Sequence, residues 1–426
     1  MYYFMLLFAF IEGYERLKKD LFGRNKKMTH IKNTVPFFKN HPGLIYLDNA
    51  ATTQKPQAVL DALHDFYTKH NVNLHRGIYA IAEQSTEQYE ATRVQVAQFL
   101  NAQASEIVFT HGATDAMNRV AISWGYQNIQ KGDEIVVTAL EHHANFVPWY
   151  QLCKAKKATL KMIPVTSEGI LDYSTLDTLI NSKTKLVAVT QVSNAIGTHV
   201  DLAPIIKRAG QVKARVLVDG CQAAPYQKID VKSLGCDFYV FSGHKMMGPM
   251  GVGVLYVKTT VQQECLPFPT GGGAVQEVSL DAVTFAPFPR CFEAGTPPAA
   301  SVAGLSAALK VIEAYGIETI QNHCAYVTRL AIEGLEKMDF IRLLGPVNEL
   351  KKSGHLISFE VKGIHAHDVA AFLDQKGIAV RAGHHCAQPL ARALGYVSSL
   401  RASFYLYNSQ EDVEVFLKAV AELFSK

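Results

Sequence analysis

The segment YVFSGHKMMGPMGVGVLYVK, residues 239–258, sets a lysine where one apolar run ends and a second begins. A cationic amine among apolar side chains is costly unless it is paired, neutralised or used covalently, which makes Lys245 a candidate for covalent chemistry. Four more polar clusters follow short β-branched runs in the same way. HGATD, with Gly112, Ala113 and Thr114, follows EIVFT (106–110), and EHHAN, with His142, follows DEIVVTAL (133–140). SNAIGT, with Asn194, follows LVAVTQV (186–192), and the run RVLVD (215–219) ends in Asp219 with Gly220, Cys221 and Gln222 behind it. Ser242 and His244 precede Lys245 at the end of DFYVFS (237–242). The set amounts to a phosphate-type helix start, an imidazole, an amide, a carboxylate with an amide, and a lysine. Singly, each has a plainer explanation: a turn at Asp219-Gly220, a helix cap at Gly112 to Thr114, a satisfied half-buried histidine at His142.

Runs that are apolar throughout, rather than alternating, predict strands buried on both faces, as in a mainly parallel sheet covered by helices. That is an α/β architecture, in which ligands bind beyond the carboxyl ends of the strands. All five clusters therefore fall on one edge. No Walker motif is present and GPMGVG lacks the GxGxxG spacing, so neither a nucleoside triphosphate nor a dinucleotide accounts for them. A ligand with a phosphate, a ring nitrogen, a phenolic oxygen and an aldehyde uses them all, and pyridoxal 5′-phosphate is that molecule. Its chemistry needs a carboxylate to keep the ring nitrogen protonated, which suits Asp219, and a desolvated lysine to hold the aldehyde, which suits Lys245.

The chain of 426 residues, 48% hydrophobic, has room for a large domain and a smaller one. Its 42 basic and 38 acidic residues leave too little field for nucleic acid, since much of the excess lies in residues 1–27. Seven scattered cysteines without a CxxC pair suit a reducing cytoplasm rather than a disulfide framework, and the histidine pairs lack the second ligand pair of a closed metal site. The opening run MYYFMLLFAFI is short of a membrane span and has no basic region before it. Residues 1–27 read as an appended helix or as an upstream extension of a chain starting at Met28.

LDNAATTQKP (47–56), NVNLHRGIYAIAEQST (71–86), EHHANFVPW (141–149), VSNAIGT (192–198), VDGCQA (218–223), FSGHKMMGPMGVG (241–253), FEAGTP (292–297) and RAGHHCAQPL (381–390) resemble the cysteine desulfurases of the class V aminotransferase fold. The resemblance runs from about Leu44 to the C-terminus, and its last motif is closer to the group II branch with SUF-type and CSD-type enzymes. From about Ser301 the runs HLISFEVKG, GIAVRAG and LRASFYLY read as strands and VAAFLDQKG and QEDVEVFLKAVAELF as helices, the latter opened by Ser409 with Asp412 three residues on, a smaller α+β domain (301–426) on which residues 28–44 pack. The resemblance implies a large pyridoxal-phosphate-binding domain (45–300) with a mainly parallel sheet. It implies that Lys245 bonds the cofactor, Asp219 holds the pyridinium nitrogen, Asn194 and Gln222 hold the phenolic oxygen, and His142 stacks on the ring and works as acid and base. Thr114, Ser242, His244 and the backbone of Ala113 would hold the phosphate, completed by Thr296 of a partner subunit in a homodimer. Arg401, with Asn194, would bind the carboxylate of L-cysteine, and Cys386 would accept its sulfur as a persulfide for an acceptor protein, iron–sulfur cluster assembly being the usual destination. Selenocysteine cleavage is implied as well. From the residues themselves, the histidines beside Cys386 are expected to favour its thiolate. One departure stands out: many relatives have arginine directly before FEAGTP, where this chain has Cys291 and the arginine lies at Arg290.

Two other readings fit the same residues. Another class V aminotransferase or lyase keeps Lys245 and Asp219 but has no use for Cys386. A non-catalytic scaffold keeps only the fold.

Overall fold

The computed structural model describes residues 28–424, so the expectation for residues 1–27 lies outside the described residues. The first strand, β1 (Ile45–Tyr46), is short. The strands β2 (Ile107–Thr110), β3 (Glu134–Thr138), β4 (Thr159–Ile163), β5 (Thr184–Thr190), β6 (Arg215–Asp219), β7 (Phe238–Ser242) and β8 (Gly253–Val257) then form a seven-stranded sheet among the described residues, in the order β2-β8-β7-β6-β5-β3-β4. Pairings from β7 to β4 are parallel, and β8 alone runs antiparallel, between β7 and β2. The five apolar runs of the sequence are β2, β3, β5, β6 and β7. Residues along one strand alternate between two cores: Phe238 and Val240 join Trp124 and Trp149 on one face, while Tyr239 and Phe241 join Ile205 and Leu305 on the other. Each such side chain contributes about 1.5–3 kcal/mol by leaving water, which is why the strands carry no alternating polar face.

Helix α1 (Gln57–Lys69) and α2 (Ala80–Leu100) pack against α4 (Ala299–Tyr315), and α3 (Ala113–Val120) starts three residues after β2. The hairpin of β9 (Val275–Val278) and β10 (Val283–Phe285) is largely exposed. After α5 (Ile317–Leu335), an antiparallel sheet forms in the order β11-β12-β15-β14 from β11 (Ile341–Leu344), β12 (Leu356–Val361), β14 (Arg381–Gly383) and β15 (Ser399–Ser403), while β13 (Ile378–Ala379) pairs parallel with β1. Helix α6 (Gln388–Leu394) follows β14, and α7 (Gln410–Ala421) opens on the expected reciprocal cap: Asp412 N–H donates to Ser409 Oγ and Ser409 N–H to Asp412 Oδ2, both at 3.2 Å. Lys32 reaches that helix start with an ion pair of 3.0 Å to Asp412.

Residues 47–53 thread between the two sheets. Asp48 forms a bridge with Ser403, Ala50 N–H donates to Ser403 Oγ at 2.9 Å, and Thr53 N–H donates to the His244 carbonyl at 3.1 Å. Among the described residues no single helix is long and apolar enough to cross a membrane.

Candidate active site

Asp219 is the last residue of β6, flanked in register by Thr190 and Val240. It is buried, and its Oδ1 accepts a hydrogen bond of 2.9 Å from Cys221 N–H. Gly220 lets the chain turn there, since a Cβ at that position would lie 2.1 Å from the Tyr239 ring. Lys245 ends a single turn of 3-10 helix directly after β7, and among the described residues no hydrogen bond or ion pair holds its amine. Both charges are felt by the buried Cys221 thiol, whose pKa is pushed up by burial first, then by Asp219, with Lys245 opposing.

His142 lies at the carboxyl edge of β3. Burial, then Lys245, depresses its pKa to about 3, and its Nδ1 accepts from Ala144 N–H at 3.0 Å. The imidazole is therefore neutral near pH 7 with its hydrogen on Nε2. The loop is set by Glu141, which sequence reasoning missed. Its Oε1 accepts from Thr138 Oγ1 at 2.6 Å and Thr190 N–H at 2.9 Å, and its Oε2 from Asn145 Nδ2 at 2.6 Å. Burial lifts the Glu141 carboxyl to about 8.

At the edge of β2 and β7, Gly253 pairs with both Thr110 and Ser242. Gly112 there has φ +148°, and a Cβ on Gly253 would come within 2.5 Å of the Gly112 Cα. This contact seats the start of α3, where Ala113 N–H donates to Ser242 Oγ at 2.9 Å and Thr114 is exposed. The His244 carbonyl accepts from Thr52 Oγ1 at 3.1 Å, Thr53 Oγ1 at 3.0 Å and Lys55 Nζ at 3.2 Å. Burial lowers the Lys55 amine to about 8, and burial with Lys245 lowers His244 to about 4.

Asn194 joins the two sheets. Its carbonyl accepts from Arg401 Nη1 at 2.7 Å, and its Nδ2 donates at 2.7 Å to the carbonyl of His385, the residue before Cys386. His143 N–H donates to the Cys386 carbonyl at 2.8 Å. The thiol loop is thus pinned on both sides of the β3 and β5 edges, with His385 and Cys386 at φ +53° and +56° and the cysteine exposed. The expectation that neighbouring imidazole favours thiolate is corrected for His385. That ring is buried against Ser399 Oγ at 3.0 Å, and burial followed by Arg401 takes its pKa to about 3, so it presents no cation. Arg381, within electrostatic reach of Cys386, is the positive neighbour.

Gln222 Nε2 donates to the Ala50 carbonyl at 2.8 Å, and its Oε1 faces His355 Nε2 at 3.1 Å. His355, also missed, stacks on Tyr226 with centroids 3.7 Å apart. Arg401 is buried and its Nη2 reaches Asp48 Oδ1 at 3.2 Å.

Thr296 is not part of this cluster. It is exposed and lines a cavity of about 230 Å³ with His75, Arg76, Gly273 and Arg290. Cys291 points away into the core, its thiol raised to about 11 by burial, so the displaced guanidinium of Arg290 is the one at the cavity. Glu293 anchors this segment by a bidentate pair with buried Arg93 at 2.7 and 2.9 Å, and also accepts from Phe109 N–H at 2.6 Å.

The donor set fits a phosphorylated pyridine aldehyde. Asp219 has one backbone partner and capacity for a ring N–H, α3 directs its dipole at the Ser242 edge, and His244 Nδ1 and Arg401 Nε are buried without hydrogen-bond partners. Among the described residues no group of three or more His, Cys, Asp or Glu side chains is arranged to hold a metal ion.

The chain is similar to known proteins over most of its length. The class V aminotransferase family profile matches residues 45–416. A cysteine desulfurase of Dickeya dadantii (strain 3937) is 46% identical over 377 residues, covering 88% of this chain and 90% of that protein. The apo structure of a cysteine desulfurase from Thermococcus onnurineus NA1 is 38% identical with a TM-score of 0.89, covering 94% of this chain and 98% of that one. The Escherichia coli cysteine desulfurase CsdA, in an S-sulfonic acid form, is 38% identical with a TM-score of 0.87 and the same coverage.

Proposed function

The chain belongs to the class V aminotransferase family and, within it, to the cysteine desulfurases, and on that premise we propose that Lys245, Asp219, His142, Arg401 and Cys386 carry the reaction in the roles below. The enzyme is pyridoxal-phosphate-dependent and converts L-cysteine to L-alanine, leaving the sulfur on an enzyme cysteine. When bound, the cofactor supplies an electron sink that makes the substrate's α-carbon acidic.

Lys245 Nζ would bond the cofactor and carry the α-proton. Asp219 would keep the ring nitrogen protonated, and the amides of Asn194 and Gln222 would hold the phenolic oxygen. Ala113 N–H, Thr114, Ser242 and His244 would hold the phosphate. Arg401, with Asn194, would take the substrate carboxylate, a planar fork suiting it better than an ammonium. His142, neutral and carrying its hydrogen on Nε2, would exchange a proton with the departing sulfur. Cys386 Sγ, as thiolate, attacks the substrate sulfur: an S–S bond forms, the C–S bond breaks, and the carbon skeleton takes up a proton to leave as alanine. Cys386 is left as a persulfide, and no external oxidant or reductant is consumed.

One observation carries this reading: Asn194 hydrogen-bonds both the carboxylate clamp, at Arg401, and the thiol loop, at His385. The test is incubation of the holoenzyme with L-cysteine and mass measurement of the Cys386 side chain. A gain of one sulfur is expected, and Cys386→Ala should abolish alanine formation. Turnover retained in that variant would favour a different class V reaction. L-Selenocysteine should be cleaved too, with less dependence on Cys386, because selenide leaves more readily.

The working form is a homodimer in which Thr296 completes the partner's phosphate site. Its support is the exposure of Thr296 and of the large apolar residues Tyr67, Ile78, Tyr79 and Met250, which are 52–96% exposed. Sedimentation at the mass of one chain would remove this part. The exposed Cys386 supports hand-over of sulfur to an acceptor protein, and the free cysteines support a cytoplasmic setting. Residues 45–300 act as the cofactor-binding unit and 301–426, with 28–44, as the unit that brings clamp and thiol to it.

A further inference from the structure

Arg401 already has a carboxylate partner. Asp48 Oδ1 accepts from Arg401 Nη2 at 3.2 Å, and the same carboxylate is held by Arg381 through Nε at 3.0 and 3.1 Å and through Nη2 at 2.8 Å. Arg381 and Arg401 stand directly opposite each other on β14 and β15, an unfavourable like-charge pair that Asp48 offsets. The backbone fixes Asp48 independently of its charge: it bridges to Ser403, and its carbonyl accepts from Ala51 N–H at 3.1 Å, Thr52 N–H at 3.4 Å and Tyr46 Oη at 3.3 Å. Two guanidiniums and one carboxylate leave a single positive charge, which matches one incoming carboxylate.

The contacts are unequal. Asp48 is gripped at three distances by the half-exposed Arg381 and touches the buried Arg401 once, at the longest of the four. A substrate carboxylate arriving at Arg401 can displace the weak contact while Arg381 keeps Asp48 in place. We propose that Asp48 is a resident competitor for the Arg401 guanidinium, weakening the hold on substrate and product carboxylates so that alanine leaves readily. The proposal rests on Arg401 being the carboxylate clamp.

The test titrates holoenzyme with L-alanine and with L-alaninamide, which lacks the carboxylate, reading the absorbance of the bound cofactor. Asp48→Asn keeps the shape and removes the competing charge, so L-alanine should bind about fivefold more tightly, as loss of one partly buried ion contact allows, while L-alaninamide is unaffected. Arg381→Gln should do the reverse, since Asp48 then leans on Arg401 alone. A merely structural Asp48 predicts weaker binding of both ligands in Asp48→Asn, and that outcome, or an unchanged L-alanine affinity, overturns the proposal. Arg401→Gln separates the premise: if it leaves the preference for L-alanine over L-alaninamide intact, Arg401 is not the clamp and both ideas fall. If it removes that preference while Asp48→Asn fails to tighten, only the competitor falls.

Discussion

At the scale of single residues, the site is an arrangement of charges whose burial decides their state. Asp219 sits beside a buried thiol and one backbone N–H, so a ring N–H brought to it meets a carboxylate with little competing solvation. Asp219→Asn should therefore lower kcat/KM on the order of 10²-fold, the scale seen when one preorganised electrostatic partner is removed, and should shift the absorbance of the bound cofactor. Unchanged activity and spectrum would strip Asp219 of its role. The sequence made Asp219, Lys245 and Cys386 legible because each stands where an apolar run or a Gly-containing loop makes a polar group conspicuous. Asp48, His355 and Glu293 went unread for the opposite reason. Their partners lie far off in the chain, as in Asp48 with Arg401 or Glu293 with Arg93, and no local spacing announces such contacts.

At the scale of elements, the strands that the sequence displayed are those buried on both faces. β4 escaped because it is an edge strand in which only Ile163 of TLKMI is buried, and the antiparallel β8 was visible as an apolar run but its direction was not. In the smaller sheet, the run GIAVRAG resolves into two strands, β13 and β14, in different sheets, a break that apolar patterning cannot show. The cap of α7, by contrast, was readable because its chemistry is local. β8 lies close against the turn before α3. Gly253→Ala drives a Cβ into the Gly112 backbone, at 2.5–2.9 Å, and cannot be absorbed by a flexible side chain. Since it displaces the helix start proposed to face the phosphate, it should weaken pyridoxal phosphate affinity at least tenfold, beyond the roughly 1–3 kcal/mol expected of overpacking. Equilibrium titration of the apoenzyme with cofactor measures this, and normal affinity would show that the turn can shift without consequence.

At the scale of the whole molecule, burial has collected neutral imidazoles. His142 and His385 are depressed to about 3, His244 to about 4 and His355 well below its usual value, all by burial first. On unfolding these groups return to about 6.5, so below that pH the unfolded chain binds more protons and stability falls with falling pH. Glu141, raised to about 8 by burial, works in the opposite sense, losing stability as pH rises through the range from about 4.5 to 8. The imidazoles outnumber it. The unfolding free energy of the apoenzyme, from urea titrations, should therefore fall between pH 7.5 and 5.5, by roughly 1 kcal/mol for each of these four histidines less roughly 2–3 kcal/mol regained at Glu141, and a flat or rising profile would mean that the imidazoles titrate in the folded state.

The facing positions of Arg381 and Arg401 have a mechanical corollary. Because the proposed clamp, Arg401, lies on one strand and the loop of the proposed nucleophile, Cys386, springs from its immediate neighbour, any rigid tilt of the small sheet swings both through the same arc. Gripping the amino acid and presenting sulfur's attacker are then a single stroke, and neither can be retimed by moving that sheet without retiming the other.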